Sequence, residues 1–250
     1  MNSGSMNSKV VMKTTTSKVI NDPIGKAILD YSKTGISREI IVSSDICDDD
    51  VIPSAYLFRD YNAMPSSEQI ALQKASGKIL DVGAAAGAHA RYLKDQGKEV
   101  HCIDISPGSV EYLQSQGFDA RQKSFLELTN EKYDTILLLM NGIGIAGDLE
   151  RLDDFLIHAK SLLTEGGTIL CDSTDIKYLY EDDEGGFWVD LNSSYYGNFN
   201  FQMTFGDSEG NWFPWLYVDY ETLEEHAELS GLRISKLFEE ESHYLAEINI

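Results

Sequence analysis

Residues 78–104, KILDVGAAAGAHARYLKDQGKEVHCID, carry the pattern that decides the fold. A short apolar run, Ile79–Val82, contains Asp81 and passes into a loop of glycines and alanines. A helical pattern follows over Ala86–Gln96, and a second apolar run, Glu99–Ile103, closes on Asp104. A strand, a tight loop and a helix put several backbone N–H groups and the positive end of the helix dipole at one spot. Gly83 and Gly87 let a backbone lie against a ligand there, and Ala84, Ala85 and Ala86 are nearly as permissive. The stretch reads as a nucleotide cradle, with a merely tight strand-to-helix turn as the plain alternative.

Outward from this unit the rhythm repeats. Helix Pro107–Gln116, strand Asp119–Lys123, strand Tyr133–Met140, helix Leu149–Leu163 and strand Thr168–Asp172 are expected in turn. Unbroken apolar runs such as TILLLM (135–140) mark strands buried on both faces, as in a parallel sheet covered by helices. The expected class is a doubly wound α/β domain. Beyond Asp172 the pattern changes, and residues 195–220 carry two aromatic-rich runs joined by Gly206–Gly210. Phe199, Phe201, Met203 and Phe205 alternate strictly, so one face of that strand is apolar. An extra aromatic β-hairpin is therefore expected at about residues 195–218. A helix at 221–231 and two strands joined by a charged turn over 232–250 complete the chain.

On the other side, residues 1–20 are polar and pattern-free, a disordered lead or tag. NDPIGKAILDYSKTG (21–35) reads as a helix with Asp22 as its cap, Pro23 in its first turn and Gly35 closing it. Ile36–Arg59 shows no clear periodicity, and residues 64–77 give a short helix. The expected organisation is an N-terminal helical lid region over 21–76 and a ligand-binding domain over 77–250.

Bulk properties narrow the partners. The chain has 250 residues and a formal net charge of −21, which repels phosphate backbones and argues against a nucleic-acid partner. Its longest apolar run, Thr135–Gly147, is too short and too interrupted to cross a bilayer, and the start shows no secretory signal. The three cysteines, Cys47, Cys102 and Cys171, have no metal-type spacing, and the two in strands serve as small core hydrophobes. No metal and no membrane partner are expected. The protein is expected to be cytoplasmic, as a monomer or homodimer.

Asp104 ends its strand twenty-one residues after Gly83. An acidic residue there can accept both hydrogen bonds of a ribose diol. Ser106 already supplies the cap of the next helix and Pro107 its first-turn residue, so the Asp104 carboxylate is unclaimed. Both NAD and S-adenosylmethionine (SAM) offer a ribose. The dinucleotide fingerprint asks for glycines at 83, 85 and 88, where this chain has Gly83, Ala85 and Ala88. Asp81, two residues before Gly83, would face a pyrophosphate in that reading. With SAM it would face an ammonium instead, directly or through water.

ILDVGAAAGAHARYL, EVHCIDISPGSVEYL, KYDTILLLMNGIGIAG and AKSLLTEGGTILCDSTD resemble, in order and spacing, the successive motifs of class I SAM-dependent methyltransferases. The resemblance covers residues 78–174 strongly and the closing ETLEEHAELSGLRISKL and HYLAEI moderately. It is nearest to a bacterial subgroup without an assigned substrate. It implies a mostly parallel, seven-stranded Rossmann-like sheet with helices on both faces and an antiparallel C-terminal strand. SAM is the implied cofactor, and methyl transfer to a small-molecule acceptor is the expected activity. By the resemblance, Asp81, Gly83, Ala84, Ala85 and Gly87 line the methionine end. Asp104 holds the ribose, and Ile105 lies beside the adenine. Ser124 stands where the family often has an aspartate, and Phe125 offers a backbone N–H to the ring. Asn141 and Gly142 flank the methionine moiety near the transferring methyl. An NAD-dependent oxidoreductase and a non-catalytic SAM-binding protein are the alternatives.

Beyond the cofactor the reading thins. His89, in the first turn after the loop, and Arg59, in the lid region, are candidates for the methionine carboxylate, with surface positions as the alternative. No catalytic residue can be named; His243, Tyr195 and Asp172 are weak candidate bases, while His158 and His226 read as structural or surface. Tyr195, Phe201, Trp212 and Trp215, with Phe199, are the candidate substrate contacts. Covering a sheet edge or forming a dimer interface is the competing role for that aromatic hairpin.

Overall fold

The computed structural model describes residues 21–180 and 194–250. The expected lead at 1–20 lies outside the described residues. The elements are α1 (Pro23–Thr34), β1 (Glu39–Ser44), β2 (Asp50–Pro53), α2 (Ser66–Lys74), β3 (Lys78–Val82), α3 (Ala88–Asp95), β4 (Glu99–Asp104) and α4 (Pro107–Ser115). There follow β5 (Asp119–Gln122), β6 (Tyr133–Leu138), α5 (Leu152–Ser161), β7 (Leu163–Thr174), β8 (Asn198–Phe205) and β9 (Ser208–Glu209). β10 (Phe213–Leu216), α6 (Tyr220–Leu229), β11 (Arg233–Glu240) and β12 (His243–Asn249) close the chain.

The apolar runs form a seven-stranded sheet in the order β11-β12-β7-β6-β3-β4-β5. The five strands from β7 to β5 are parallel, and β12 runs antiparallel to both its neighbours. Strand parity feeds two cores. Leu80, Ile136, Leu138 and Ile169 face α5 and α6 through Phe155, Leu156 and Leu223. Ile79, Leu137, Leu170 and Leu245 face α2 and α3 through Leu72 and Leu93. Each such fully buried side chain contributes roughly 1.5–3 kcal/mol of transfer free energy. After β3 the chain moves out through β4 and β5, then returns to place β6 on β3's other side. This reversal opens a crevice at the carboxyl ends of β3 and β6.

Several boundaries differ from those expected. The helix expected from Leu149 opens with a 3-10 turn, Leu149–Arg151, capped by Asp148, and becomes α-helical at Leu152. The strand expected over Thr168–Asp172 extends over Leu163–Thr174 because β6 and β12 pair along it. The largest difference lies in the N-terminal region, which is only partly helical. β1 and β2 form an antiparallel hairpin there, and β8 joins β1 in a second sheet of order β10-β8-β1-β2, with β9 on β8. In β1 the alternation is weak, with Ile40 fully buried and the adjacent Ile41 39% exposed. Its main partner, paired Ser44 to Phe201, lies far along the chain, so no local pattern announces it.

One carboxylate docks this region on the main sheet. Asp22 Oδ1 accepts the Gly25 N–H at 2.9 Å, capping α1. Its Oδ2 accepts the Gly108 N–H at 2.9 Å and the Ser106 hydroxyl at 2.8 Å, at the start of α4. The two helices meet so closely that a Cβ on Gly108 would lie 2.6 Å from Gly25 Cα. Only glycine fits that approach, because the obstacle is backbone. Gly108→Ala is therefore expected to destabilise the protein by about 1–3 kcal/mol, as overpacking does. Urea unfolding checks this; an unchanged midpoint would contradict the contact.

Candidate active site

A cavity of about 1000 Å³ opens above the crevice and spans both sheets. Gly83, Ala85, Asp104, Ile105, Ser124, Phe125 and Asn141 line one part of it. Phe199, Phe201, Phe213 and Trp215, from β8 and β10, line another, with Val42 and Ile52 of the β1–β2 hairpin. Asn21–Ile24 at the start of α1 and Thr174–Tyr178 after β7 complete the wall through several of their residues.

The loop after β3 is pinned at each step. The N–H groups of Gly83 and Ala84 both donate to the Ile103 carbonyl, at 2.9 and 3.2 Å. Ala85 takes a left-handed conformation (φ 48°), and its N–H donates to Asp104 Oδ2 at 2.8 Å. The Ser106 N–H donates to Asp104 Oδ1, also at 2.8 Å. Asp104 is 8% exposed. Burial pushes its carboxyl up to about 6, with Asp22 and Asp81 adding to the rise and the two backbone N–H groups opposing it. Each oxygen accepts one of these bonds, and a carboxylate oxygen can accept a second. Since Asp104 also lines the cavity, its free acceptor positions fit two ribose hydroxyls.

Asp81 lies behind the loop. It is 2% exposed and is not part of the cavity wall. Burial raises its pKa, and its Oδ2 has no hydrogen-bond partner. His89 Nδ1 stands 3.9 Å from Asp81 Oδ1, and His89 Nε2 is 2.8 Å from Glu68 Oε2. Arg59 Nη2 meets that same Glu68 oxygen at 2.5 Å, its guanidinium 4.2 Å from the centre of the Tyr56 ring. Arg59 and His89 are thus neither surface residues nor cavity residues, but members of a buried ionic cluster beneath the cradle. Burial works against the charge on Glu68, yet His89 and Arg59 hold its carboxyl below the usual range. Glu68 escaped sequence reasoning because α2 is short and its polar face looks like any solvated one. Ala84 and Gly87 also sit outside the wall, as does Gly142.

At the end of β6, Met140 and Asn141 both adopt left-handed conformations, φ 62° and 55°. The Asn141 N–H donates to Asp172 Oδ1 at 2.7 Å, so Asp172, 2% exposed, is committed to the backbone. Gly144, just beyond, lies under Trp215, where a Cβ would meet the indole at 2.3 Å. The glycines after Asn141 thus let β10 settle onto the main sheet. Ser124 begins the turn Phe125–Glu127, and the buried Phe125 carbonyl lies 2.9 Å from His158 Nε2.

Strand parity divides the aromatic residues. Phe213 pairs with Phe201 and Trp215 with Phe199, all four on the cavity wall. Trp212 falls before the strand, 51% exposed and outside the cavity. Tyr195 also lies outside it, donating its hydroxyl at 2.5 Å to Asp219, the cap of α6. Burial and Asp219 push that hydroxyl's pKa up, which makes it a poor base. His226 ties α6 to α5 through Asp153 at 2.7 Å. Residues of β1, β2 and the segment after β7 were missed as cavity residues. EIIVSS followed by DICDDD and VIP is a strand–turn–strand signal that could have found the first two. Among the described residues no His, Cys, Asp and Glu group could hold a metal, and no helix is long and apolar enough to cross a membrane.

A family profile described as "Methyltransferase domain" matches residues 79–167. Among solved structures, the chain is similar to a SAM-dependent methyltransferase from Bacteroides fragilis in complex with S-adenosyl-L-homocysteine. The two are 42% identical, over 92% of this chain and 95% of that one, with a TM-score of 0.86. It is also similar in fold to the CcbJ methyltransferase from Streptomyces caelestis (17% identity, 77% of this chain and 98% of that one, TM-score 0.57). A third is the sugar N-methyltransferase KedS8 from a Streptoalloteichus species (12% identity, 99% of each chain, TM-score 0.54). No curated protein matches. The dinucleotide alternative falls with these findings, as does a non-catalytic role. With 42% identity across nearly the whole of both chains and a methyltransferase profile over residues 79–167, the protein belongs to the class I SAM-dependent methyltransferases, and its methyl donor is SAM.

Proposed function

We propose that this enzyme methylates a small-molecule acceptor held in the aromatic part of the cavity. The observation that carries the reading is continuity: Asp104 and the loop at one part share a single cavity with Phe199, Phe201 and Trp215. In this reading Asp104 takes the ribose hydroxyls, Ile105, Ser124 and Phe125 border the adenine, and Gly83 and Ala85 pass along the ligand's backbone-facing side. Asn141 stands beside the methionine end. Asp81, with its unpartnered oxygen, reaches the ammonium through water. The start of α1 covers the adenosine end, with Asn21–Ile24 on the cavity wall.

When bound, SAM supplies an electrophilic methyl on a sulfonium, and the acceptor's lone pair displaces sulfur in line. Alignment provides much of the acceleration in such a step. The residues named here bind, orient and exclude water. The net charge of −21 disfavours a nucleic-acid acceptor. Free thiols, two of them buried, suit a reducing cytoplasm. In this reading the enzyme acts as a monomer or a homodimer.

Ribose hydroxyls donate to Asp104, so the cofactor prefers the ionised carboxylate. S-adenosylhomocysteine affinity, measured by calorimetry, is expected to fall about ten-fold per pH unit below the Asp104 pKa of about 6. Asp104→Asn should bind weakly and lose this dependence. Stability of the ligand-free protein has the opposite sign. A raised carboxyl pKa favours the protonated fold, so Asp104's contribution weakens as pH rises from the ordinary carboxylate range through about 6.

An assay with methyl-labelled SAM and fractionated cell extract tests the acceptor class. Label is expected in the low-mass fraction and to be lost in Trp215→Ala, with S-adenosylhomocysteine affinity retained. Label confined to protein or nucleic acid would contradict the small-molecule reading.

A further inference from the structure

Two successive non-glycine residues in left-handed conformations are costly and persist only where the surroundings over-determine them. At Asn141 those surroundings converge on His243. Asp172, which accepts the Asn141 backbone N–H through Oδ1, has His243 Nε2 3.4 Å from its Oδ2. Thr174, two residues along β7, donates its hydroxyl to Asn141 Oδ1 at 3.3 Å and lies 3.1 Å from His243 Nδ1. His243 faces Thr174 directly in the β12–β7 pairing, with Ser67 Oγ 3.2 Å from Nε2. Its two ring nitrogens thus reach both ends of Asn141: the backbone through Asp172 and the side chain through Thr174.

A hydroxyl has one hydrogen. If Thr174 gives it to Asn141 Oδ1, then His243 Nδ1 must be the donor to Thr174. If Nδ1 is bare, the Thr174 hydrogen turns to it. The threonine oxygen can then only accept from the asparagine, which must present its NH2 inward. Nε2, aimed at a carboxylate, keeps its hydrogen in both cases. The charge state of His243 therefore selects which end of the Asn141 amide faces the cavity, which both Asn141 and Thr174 line.

We propose that His243 is a positioning residue whose Nδ1 proton, relayed through Thr174, turns the NH2 end of Asn141 toward the cavity at the point of methyl transfer. The functional part of this inference rests on the reading of Asn141 as neighbour of the methionine end. Three acids bear on His243: Asp172 on β7, Glu68 on α2, itself paired with Arg59, and Glu240 on β11. Asp172 leads in raising its pKa above the ordinary histidine value, against the effect of burial. The relay accordingly keeps this direction to higher pH than an ordinary histidine would allow.

The test uses the full-length labelled protein and follows the His243 ring and the Asn141 side-chain amide by NMR from about pH 6 to about pH 9, a range spanning a raised histidine pKa. The Asn141 NH2 resonances should shift with the His243 titration, keep that coupling in Thr174→Ser and lose it in Thr174→Val. Asn141 signals that ignore the titration, or follow it equally in Thr174→Val, would overturn the relay. In parallel, S-adenosylhomocysteine affinity should weaken about three- to ten-fold across the same titration, the worth of one hydrogen bond. It should stay flat in His243→Asn, which keeps a donor near the Nδ1 position. Unchanged affinity in Asn141→Ala would contradict the placement of Asn141 at the cofactor, not the relay, which the NMR titration decides by itself.

Discussion

The buried carboxylate of Asp104 holds together the two loops at the carboxyl ends of β3 and β4. Its two oxygens accept the backbone N–H groups of Ala85 and Ser106, one from the loop after β3 and one from the turn after β4. A hydrogen bond to a charged group contributes about 1.5–3 kcal/mol, whereas the same group buried without partners costs more than that. The pair of bonds therefore fixes two turns against each other, and holds the left-handed Ala85 in place. Asp22 repeats the device one layer out, tying the starts of α1 and α4 around Ser106. Two acids on either side of one serine thus connect the N-terminal segment to the cradle, and the charge of Asp22 raises the cost of ionising Asp104.

The parallel strands, the Asp22 and Ser106 caps and the loop were legible because their causes are local. Apolar runs, cap residues and glycine spacing act within a few positions. The second sheet was not legible for the opposite reason. β1 finds its partner in β8, and the pairing of Ser44 with Phe201 rests on contacts that no window of sequence contains. The site divides in the same way. Gly83, Ala85, Asp104 and Asn141 follow from motif position and line the cavity, whereas Glu68, Thr174 and the β1–β2 residues enter through packing. Trp212 and Trp215 look alike in the sequence; the onset and parity of β10 separate them.

In the proposed reading the two sheets carry different tasks. The main sheet supplies fixed backbone groups and a buried acid, which suit a ligand that does not vary. The second sheet supplies aromatic rings in contact, with Phe199 and Phe201 at 5.5 Å and Phe213 and Trp215 at 6.1 Å. A surface of that kind selects by shape and apolar area. Where they meet, Gly144 lies under Trp215, and Asn141 stands three residues earlier at the end of β6. Beneath the cradle, the Arg59–Glu68–His89 cluster keeps an ion pair and an imidazole out of water, with His89 next to Asp81. Such a cluster favours one arrangement of α2 and α3 over any slipped alternative, since breaking it leaves a buried charge unpaired.

The central claim is that one carboxylate and one loop form the cofactor cradle at the carboxyl ends of β3, β4 and β6. A crystal structure of the protein with S-adenosylhomocysteine tests it most directly. The account predicts the ribose hydroxyls on the Asp104 oxygens, the adenine beside Ile105 and Phe125, and the amino-acid end between Gly83 and Asn141. A ligand bound with its ribose away from Asp104, or with its sulfur remote from Asn141, would contradict it.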